Sequence, residues 1–198
     1  METGIELKIV SAPFGTEFGD FQLVAYYAEH VDETIVALIH GAPGNDGTAL
    51  VRIHSQCVTG EVLHSLRCDC GAQLKLALAR ITEAEYGILI YQLQEGRGIG
   101  LMNKIRAYEL QDQGLDTVDA NLTLGFHADL RSYDLCADLL KHLGVERVRL
   151  LSNNPAKICG LEKHNIRVVE RVPIHVPASP SSERYIRTKR ERLGHLTG

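Results

Sequence analysis

Three cysteines stand close together in the chain and could act as ligands of a metal ion. Ten residues separate Cys57 from Cys68, and one residue separates Cys68 from Cys70. A thiolate sulfur binds zinc strongly because it is a soft, anionic donor. Three thiolates leave one tetrahedral position open, and a water molecule bound there loses a proton near neutral pH. The spacing therefore predicts a zinc site of a kind that could be catalytic.

Two other interpretations of the cysteines remain open at this point. Either His54 or His64 could supply a fourth ligand and close the site, which would make the zinc structural. The cysteines could also be core residues that bind no metal. However, the segment Cys-Asp-Cys-Gly follows Arg67 and lies among polar residues, which is an unusual sequence for a core. The residue types thus favour a metal site.

Two turns that lead into helices could bind an anion. The segment QEGRGIG (94–100) lies between an apolar strand pattern and a helical pattern, and such a junction points backbone N–H groups outward. Its glycine spacing matches neither the dinucleotide-binding nor the P-loop motif. In the second turn, Asn154 is a good N-cap and Pro155 a good first helical residue. Lys157 in the first helical turn opposes the helix dipole, which indicates an anion nearby.

The composition narrows the classes of function. Of the 198 residues, 44% are hydrophobic and 23% are charged, so the chain can bury a core. The formal net charge of −4 argues against a protein that binds nucleic acid through its phosphate backbone. We recognise no signal peptide and no apolar run of the roughly 20 residues that cross a bilayer. Five cysteines without an export signal indicate a cytoplasmic protein without a membrane partner.

The hydrophobic pattern predicts an α/β fold of the mixed α+β kind. Residues 5–40 are rich in β-branched and aromatic types and predict strands. After Gly71, strands and helices alternate around what we expect to be a mixed sheet. We expect a single domain over residues 1–198, with a peripheral C-terminal tail from about 174 to 198.

Some residues are predicted to be structural. Cys136 lies on the apolar face of a predicted helix and Cys159 on a short helix, so we expect both to be packing residues. The basic run 187–190 is expected to be a solvated face of a surface helix.

Several segments together resemble a known family. They are RIHSQC (52–57), TGE (59–61), SLRCDCGAQL (65–74), QEGRGIGLMNKI (94–105), GFHADLR (125–131) and LLSNNP (150–155). In this order, and over nearly the whole chain, they resemble GTP cyclohydrolase II. The resemblance implies hydrolysis of GTP to formate, pyrophosphate and a diaminopyrimidinone ribosyl phosphate, which opens riboflavin synthesis. It also implies one zinc ion per subunit, magnesium with the triphosphate, and a homodimer of the free-standing form.

The resemblance assigns roles to individual residues. The zinc ligands would be Cys57, Cys68 and Cys70. Asp129 would be a proton acceptor, Arg131 a nucleophile, and Tyr108 a group near the reacting base. The residues that contact GTP would be Arg52, Ile53, His54, Ser55, Gln56, Gln73, Glu95, Gly96, Arg97, Thr117, Ser152 and Lys157.

Elementary chemistry agrees with most of these assignments. A carboxylate such as Glu95 can accept hydrogen bonds from both N1–H and the amino group of guanine. Arginine stays protonated in proteins, so Arg131 could act as an electrostatic clamp on the departing pyrophosphate instead of as a nucleophile. The family commonly has Glu where this chain has Gln56 and often Thr where it has Ser152. The loss of charge at Gln56 is expected to alter the affinity for magnesium or substrate.

Two alternative functions stay open at this stage. One is a related enzyme that opens the ring but stops at a formylated product. The other is a nucleotide-binding protein that catalyses no reaction. In that protein a zinc ion would be structural, with His54 or His64 as its fourth ligand. The fourth zinc ligand would distinguish these classes, since an open position favours an enzyme and a histidine favours a binding module.

Overall fold

Seven strands form one sheet in the part of the chain that the structure, a computed structural model, describes: residues 8–28, 33–177 and 181–196. The strands are β1 (Lys8–Thr16), β2 (Gly19–Ala28), β3 (Glu33–Gly41), β4 (Thr48–Ser55), β5 (Tyr86–Gln92), β6 (Arg147–Leu151) and β7 (Arg167–Val172). Their order across the sheet is β1-β2-β3-β5-β4-β6-β7.

The sheet is antiparallel in its first half and parallel in its second. Strands β1, β2, β3 and β5 pair antiparallel, whereas β5, β4, β6 and β7 pair parallel. The first three strands follow one another as hairpins, as the β-rich composition predicts. The parallel strands are joined by crossover segments that contain helices. The predicted mixed α/β fold is therefore confirmed.

The helices lie between and after these strands. They are α1 (Val58–Glu61), α2 (Cys70–Glu83), α3 (Gly100–Asp112), α4 (Thr117–Thr123), α5 (Asp134–His142), α6 (Pro155–Glu162) and α7 (Glu183–Leu193). A 3₁₀ turn, Glu95–Gly98, precedes α3. The predicted cap of α6 is confirmed, because the side chain of Asn154 accepts a hydrogen bond from the backbone N–H of Ala156 at 3.0 Å.

Helices cover both faces of the sheet. On one face, Ile88 and Ile90 of β5 pack in a core with Cys136 and Leu140 of α5 and with residues of α6. On the other face, Leu89 packs with residues of α2. This alternation of neighbouring β5 residues follows from the two-residue period of a strand. The prediction that Cys136 is a core residue is confirmed, since its side chain is fully buried.

Two predictions about the C-terminal half need correction. Cys159 is exposed, so the expectation that it is a packing residue is wrong. The basic run 187–190 is not a solvated face throughout, because Thr188 is buried and Lys189 pairs with Asp69. Helix α7 contributes Tyr185 and Lys189 to the lining of a pocket. Sequence periodicity does not reveal the partner of a polar helix face, which explains these errors.

The parallel strands bring three loops to one edge of the sheet. Strands β4, β5 and β6 run in the same direction, so the segments that follow Ser55, Gln92 and Leu151 leave the sheet at the same edge. Ligands of open α/β sheets bind at this carboxyl edge.

No helix among the described residues combines the length and apolar character needed to cross a membrane.

Candidate active site

The three predicted metal ligands converge in space. The sulfur atoms of Cys57, Cys68 and Cys70 lie within 4.8 Å of one another, and those of Cys57 and Cys68 are 3.7 Å apart. Cys57 precedes α1, and Cys70 is the first residue of α2. Gly60 makes this convergence possible, because a Cβ atom at that position would lie only 2.7 Å from the sulfur of Cys68.

The thiols share their charge unequally. The pKa of Cys57 is held far below its usual value, first by hydrogen bonds from Cys68 and Cys70 and further by the nearby charge of Lys104, although burial opposes this. The same hydrogen bonds raise the pKa of Cys68 and Cys70, since these thiols are the donors. The three thiols together lose one proton readily, whereas the loss of a second proton is unfavourable. A soft divalent cation such as zinc would stabilise the fully ionised set, so the donors fit this metal.

Lys104 links the cysteine cluster to the turn before α3. Its ammonium group lies 3.2 Å from the sulfur of Cys57 and 2.6 Å from Glu95 Oε1. Burial acts to lower the pKa of Lys104, but the hydrogen bond with Glu95 and the charge of Cys57 raise it by more. Glu95 also accepts hydrogen bonds from the backbone N–H groups of Val58 and Gly96. The turn, the cluster and α3 are thus held together by one buried ion pair.

Neither histidine that we considered as a fourth ligand joins the cluster in the described part of the chain. His54 Nε2 lies 2.8 Å from Glu61 Oε1, and His54 Nδ1 lies 3.4 Å from Arg52 Nη2. Because arginine can only donate, Nδ1 accepts and the ring is neutral with its proton on Nε2. Burial lowers the pKa of His54 to about 4, which agrees with a neutral ring. His64 is exposed.

A pocket opens beside the cysteine cluster. Its volume is about 1090 Å³, including the space that is open to solvent. Of the predicted site residues, Asp129 and Ile53 do not line it, and the side chain of Ile53 is fully buried in the core. All the others line the pocket: Arg52, His54, Ser55, Gln56, Cys57, Cys68, Cys70, Gln73, Glu95, Gly96, Arg97, Tyr108, Thr117, Arg131, Ser152 and Lys157.

Buried cations line the wall formed by β4 and α6. Arg52 donates hydrogen bonds to the carbonyl oxygen of Leu151 at 3.0 Å and to Gln73 Oε1 at 2.8 Å. Lys157 donates to the carbonyl oxygen of Ile53 at 2.7 Å. Burial lowers the pKa of Lys157 well below its usual value, and the charges of Arg52 and Arg131 lower it further. An anion in the pocket would relieve this repulsion and restore the charge of Lys157.

Arg131, which lines the pocket, forms a close pair with Asp129, which does not. Arg131 Nε donates to Asp129 Oδ1 at 2.8 Å, Arg131 Nη2 donates to Asp129 Oδ2, and Arg131 Nη1 lies 3.3 Å from Ser55 Oγ. Burial acts to lower the pKa of Arg131, but the hydrogen bonds with Asp129 raise it above its ordinary value. Arg97 adds a second cation 3.5 Å from Asp129. Such a guanidinium group stays charged and suits the stabilisation of an anion.

The backbone of Arg97 adopts a conformation that is rare for a residue with a side chain. Its φ and ψ are 62° and 35°, and Gly96 before it has a similar conformation. A left-handed residue other than glycine costs on the order of 1 kcal/mol or more, and such residues cluster at functional sites. The carbonyl oxygen of Arg97 accepts a hydrogen bond from the N–H of Leu130 at 3.0 Å. This contact joins the turn to the segment that carries Asp129.

Tyr108 lines the pocket beside the cysteine cluster. Its hydroxyl group is 3.1 Å from Thr59 Oγ1, which in turn lies 3.6 Å from the sulfur of Cys57. Burial raises the pKa of Tyr108, so the phenol keeps its proton at neutral pH. It can therefore donate a hydrogen bond to a group that reacts beside the cysteines.

Sequence reasoning did not assign every polar residue of the pocket to the site, and four of the missed residues are basic or aromatic groups that bear on its chemistry. They are Lys104, Tyr185, Lys189 and His195. A signal existed for the first, because Lys104 lies four residues before Tyr108 and therefore on the same face of α3. Tyr185 and Lys189 have the same spacing in α7, and the ammonium group of Lys189 lies 4.4 Å from the ring centre of Tyr185. His195 follows the last helix and offered no pattern.

Comparison with known proteins identifies the family. The family model for GTP cyclohydrolase II matches residues 7–173 of the chain. The chain belongs to the GTP cyclohydrolase II family. It is 52% identical to the GTP cyclohydrolase-2 of Histophilus somni (strain 2336) over 95% of this chain and 87% of that protein. It is also 52% identical to the GTP cyclohydrolase-2 of Shigella dysenteriae serotype 1, over 96% of both chains.

Longer members of the GTP cyclohydrolase II family carry additional sequence. The riboflavin biosynthesis protein RibBA of Endomicrobium trichonymphae is 47% identical over 96% of this chain, which matches 47% of that protein. Among solved structures, a two-domain 3,4-dihydroxy-2-butanone 4-phosphate synthase from A. baumannii has a TM-score of 0.47 and 21% identity, covering 88% of this chain and 41% of that one. That similarity is too low to add to the assignment of the family.

Proposed function

We propose that the protein is a zinc-dependent enzyme of riboflavin biosynthesis that hydrolyses GTP. The products are formate, pyrophosphate and 2,5-diamino-6-(5-phosphoribosylamino)pyrimidin-4(3H)-one. One observation carries the proposal: the three cysteine sulfurs meet within 4.8 Å in the wall of a pocket that buried cations also line. A metal that activates water and a cradle for a triphosphate are what this reaction needs. The family of the chain supports the choice of GTP as the substrate.

Cys57, Cys68 and Cys70 would hold the zinc ion. When bound, zinc supplies a Lewis acid that activates water for attack at carbon 8 of guanine. Lys104 offsets the negative charge of the thiolates from outside the cluster. Since His54 is engaged with Glu61, we do not include it among the ligands. This arrangement supports an enzyme over a binding module whose zinc is closed by a fourth protein ligand.

The cations of the pocket would bind the triphosphate. Arg52, Arg97 and Lys157 are buried or nearly so, and all three line the cavity. A bound triphosphate would offset the repulsion among these basic groups, and a magnesium ion would share the negative charge of the triphosphate. Arg52 Nε and Arg97 Nη1 are buried without a hydrogen-bond partner among the described residues. Each is a donor that a phosphate oxygen could satisfy.

Arg131 would act as a charged clamp at the site where pyrophosphate leaves. Its hydrogen bonds with Asp129 raise its pKa, so the deprotonated guanidine that a nucleophilic role requires is disfavoured. Asp129 would orient Arg131, with Arg97 close to the same carboxylate. Tyr108 would donate a hydrogen bond to the opening ring, because it is protonated and adjacent to the cysteine cluster.

Glu95 would mainly position other groups of the site, whereas its residue type suggests recognition of guanine. It accepts hydrogen bonds from Val58, Gly96 and Lys104, which occupy most of the acceptor positions of a carboxylate. We therefore assign it to holding the turn and Lys104 in position. Recognition of guanine by its side chain would use only the remaining lone-pair direction.

We also propose that two copies of the chain form a homodimer. Leu101, Met102 and Ile105 on α3 leave 41%, 70% and 46% of their surface exposed. Grouped exposed apolar residues favour a protein interface. Light scattering after gel filtration would test this, with Met102→Glu expected to shift the mass from dimer to monomer.

A direct assay tests the proposed reaction. Zinc-loaded protein is incubated with GTP and magnesium, and formate and pyrophosphate are measured together. We expect both in equal amounts, and we expect loss of both in Cys68→Ser protein. Pyrophosphate without formate would point to the enzyme that retains the formyl group. Full ring opening by metal-free Cys68→Ser protein would reject the zinc-dependent mechanism.

A further inference from the structure

The C-terminal segment 181–196 contributes to the lining of the pocket, beyond the residues that the family model matches. That match ends at residue 173. Nevertheless, Tyr185, Lys189 and His195 all line the same cavity as the cysteines and the buried cations. The segment therefore adds polar groups to a pocket whose other lining residues come from the rest of the chain.

Three of the contacts that hold this segment against the protein join it to different parts of the chain. Lys189 Nζ lies 2.6 Å from Asp69 Oδ1. Arg192 pairs with Asp116 at 2.6 Å and with Asp119 at 2.9 Å, which attaches α7 to the start of α4. The third contact joins the N–H of Leu196 to the carbonyl oxygen of Asn153 at 2.8 Å. The partners of these contacts lie next to α2, at the start of α4 and before α6.

The contact of Lys189 with Asp69 is the most protected of the three. The two side chains are only 13% and 8% exposed, whereas Arg192 is 42% exposed. A shielded pair of this kind keeps more of its interaction energy than an exposed pair. Asp69 stands between two zinc ligands and also accepts a hydrogen bond from Gln73 at 2.6 Å. Gln73 in turn accepts one from Arg52, so hydrogen bonds connect Lys189 to the buried cations.

His195 faces the cations of the pocket. Burial lowers its pKa to about 3, and the charges of Lys189, Arg97, Lys157 and Arg131 add to the effect. A neutral imidazole among these basic groups can donate one hydrogen bond without adding to their repulsion. The group that fits such surroundings is an anionic oxygen of a phosphate chain. The ring centre of Tyr185 instead lies 4.4 Å from the ammonium group of Lys189, which pairs with Asp69 beside the cysteines.

We propose that the segment 181–196 completes the substrate site, with His195 donating a hydrogen bond to the triphosphate and Tyr185 contacting the nucleoside. Lys189 is a positioning residue that fastens the segment to the loop of the zinc ligands. This inference rests on GTP as the substrate, as proposed above. It extends the site to residues outside the segments by which the family was recognised.

Steady-state kinetics of the full-length, zinc-loaded protein test the proposal. The variants are His195→Phe, Tyr185→Phe and Lys189→Gln, with formate release as the readout. We expect the KM for GTP to rise about tenfold in each variant, the loss typical of one hydrogen bond to a charged group. We expect kcat to change by less than about threefold, because the reacting atoms are not touched. The matched control is Arg190→Gln, which removes one charge from an exposed position of α7 and should leave KM within about twofold.

The outcomes separate this inference from the proposed reaction. Unchanged KM values in His195→Phe and Tyr185→Phe, with an active parent protein, would overturn the role of the segment and leave the reaction intact. A parent protein that releases no formate would overturn the reaction, and calorimetric GTP affinities of the same variants would then decide the role of the segment. Zinc loss in Lys189→Gln would reject the positioning role of Lys189. Recovery of KM by Lys189→Arg would support it.

Discussion

The ammonium group of Lys104 lies 3.2 Å from the sulfur of Cys57 and donates a hydrogen bond to it. Three thiolates around a divalent zinc ion leave a net charge of about −1. Lys104 supplies a compensating charge in a partly buried place, and Glu95 holds it there. This residue was absent from the predicted site because its role depends on a contact between residues 47 positions apart.

Replacement of Lys104 should weaken zinc binding. We expect Lys104→Gln to lower the zinc affinity about tenfold, since a hydrogen bond from a charged donor to a ligand is lost. Competition with a chromogenic chelator would measure the affinity. Lys75→Gln is the control, because Lys75 is exposed on α2 and the change in net charge is the same. Equal affinities of the two variants would refute the role of Lys104.

Gly60→Ala should push the metal ligands apart. The added Cβ atom would lie 2.7 Å from the sulfur of Cys68 and 3.3 Å from that of Cys57. Alanine raises helix propensity by about 1 kcal/mol over glycine, but this gain is smaller than the cost of distorting the cluster. We expect at least about a tenfold loss of zinc affinity.

Zinc content after dialysis against a chelator would check this expectation. Gly15→Ala serves as the control, because its added Cβ atom would meet its nearest neighbour at an ordinary 3.4 Å. Retention of zinc by both variants would show that the cluster tolerates the extra methyl group.

The role of Arg131 can be tested by looking for a covalent intermediate. If Arg131 is a clamp, Arg131→Lys keeps a positive charge and should retain about one hundredth of the activity, whereas Arg131→Ala should lose about tenfold more. Intact-mass measurement of acid-quenched reactions should find no protein that carries a guanylyl group. Detection of such an adduct in the parent protein, and its absence in Arg131→Lys, would establish a nucleophile instead.

Stability should fall as the pH drops below the ordinary pKa of histidine. The pKa of His54 in the folded protein is about 4, below its usual 6.5, so the unfolded chain binds more protons between these values. The stabilisation is complete above about pH 6.5 and is lost as the pH falls toward 4. For this one group we expect a loss of roughly 2 kcal/mol between about pH 7.5 and about pH 5.

Urea unfolding at these two pH values would measure the change in the free energy of unfolding. His54→Gln keeps a polar side chain but cannot titrate, so its stability should depend less on pH. An equal pH dependence in the parent protein and in His54→Gln would show that other groups cause the loss.

Local patterns were sufficient to predict much of the fold and to single out the three cysteines that converge. The cap at Asn154, the burial of Cys136 and the spacing of Cys57, Cys68 and Cys70 each depend on residue type and on near neighbours in sequence. Such features can be inferred from one chain because hydrogen-bonding capacity and periodicity are local properties.

Features that depend on contacts through space could not be predicted in the same way. Nothing near Cys159 in sequence indicates that it is exposed, and nothing near Lys189 names Asp69, 120 positions earlier, as its partner. The sequence likewise allows His54 to be a zinc ligand or a residue that contacts GTP, and its contact with Glu61 is visible only in the structure. A polar residue is compatible with solvent, a ligand or a buried partner, and only the tertiary arrangement selects among them.

The position of β4 in the sheet has a consequence for how the protein folds. The strand that leads to Cys57 pairs with β5 on one side and with β6 on the other, and Arg52 donates to the carbonyl oxygen of Leu151, 99 positions later. Contacts between residues so distant in sequence form slowly, because a long loop must close first. The antiparallel hairpins near the N-terminus involve only short loops. We therefore expect the hairpins to gain protection from hydrogen exchange early in refolding, and the pocket to gain it last.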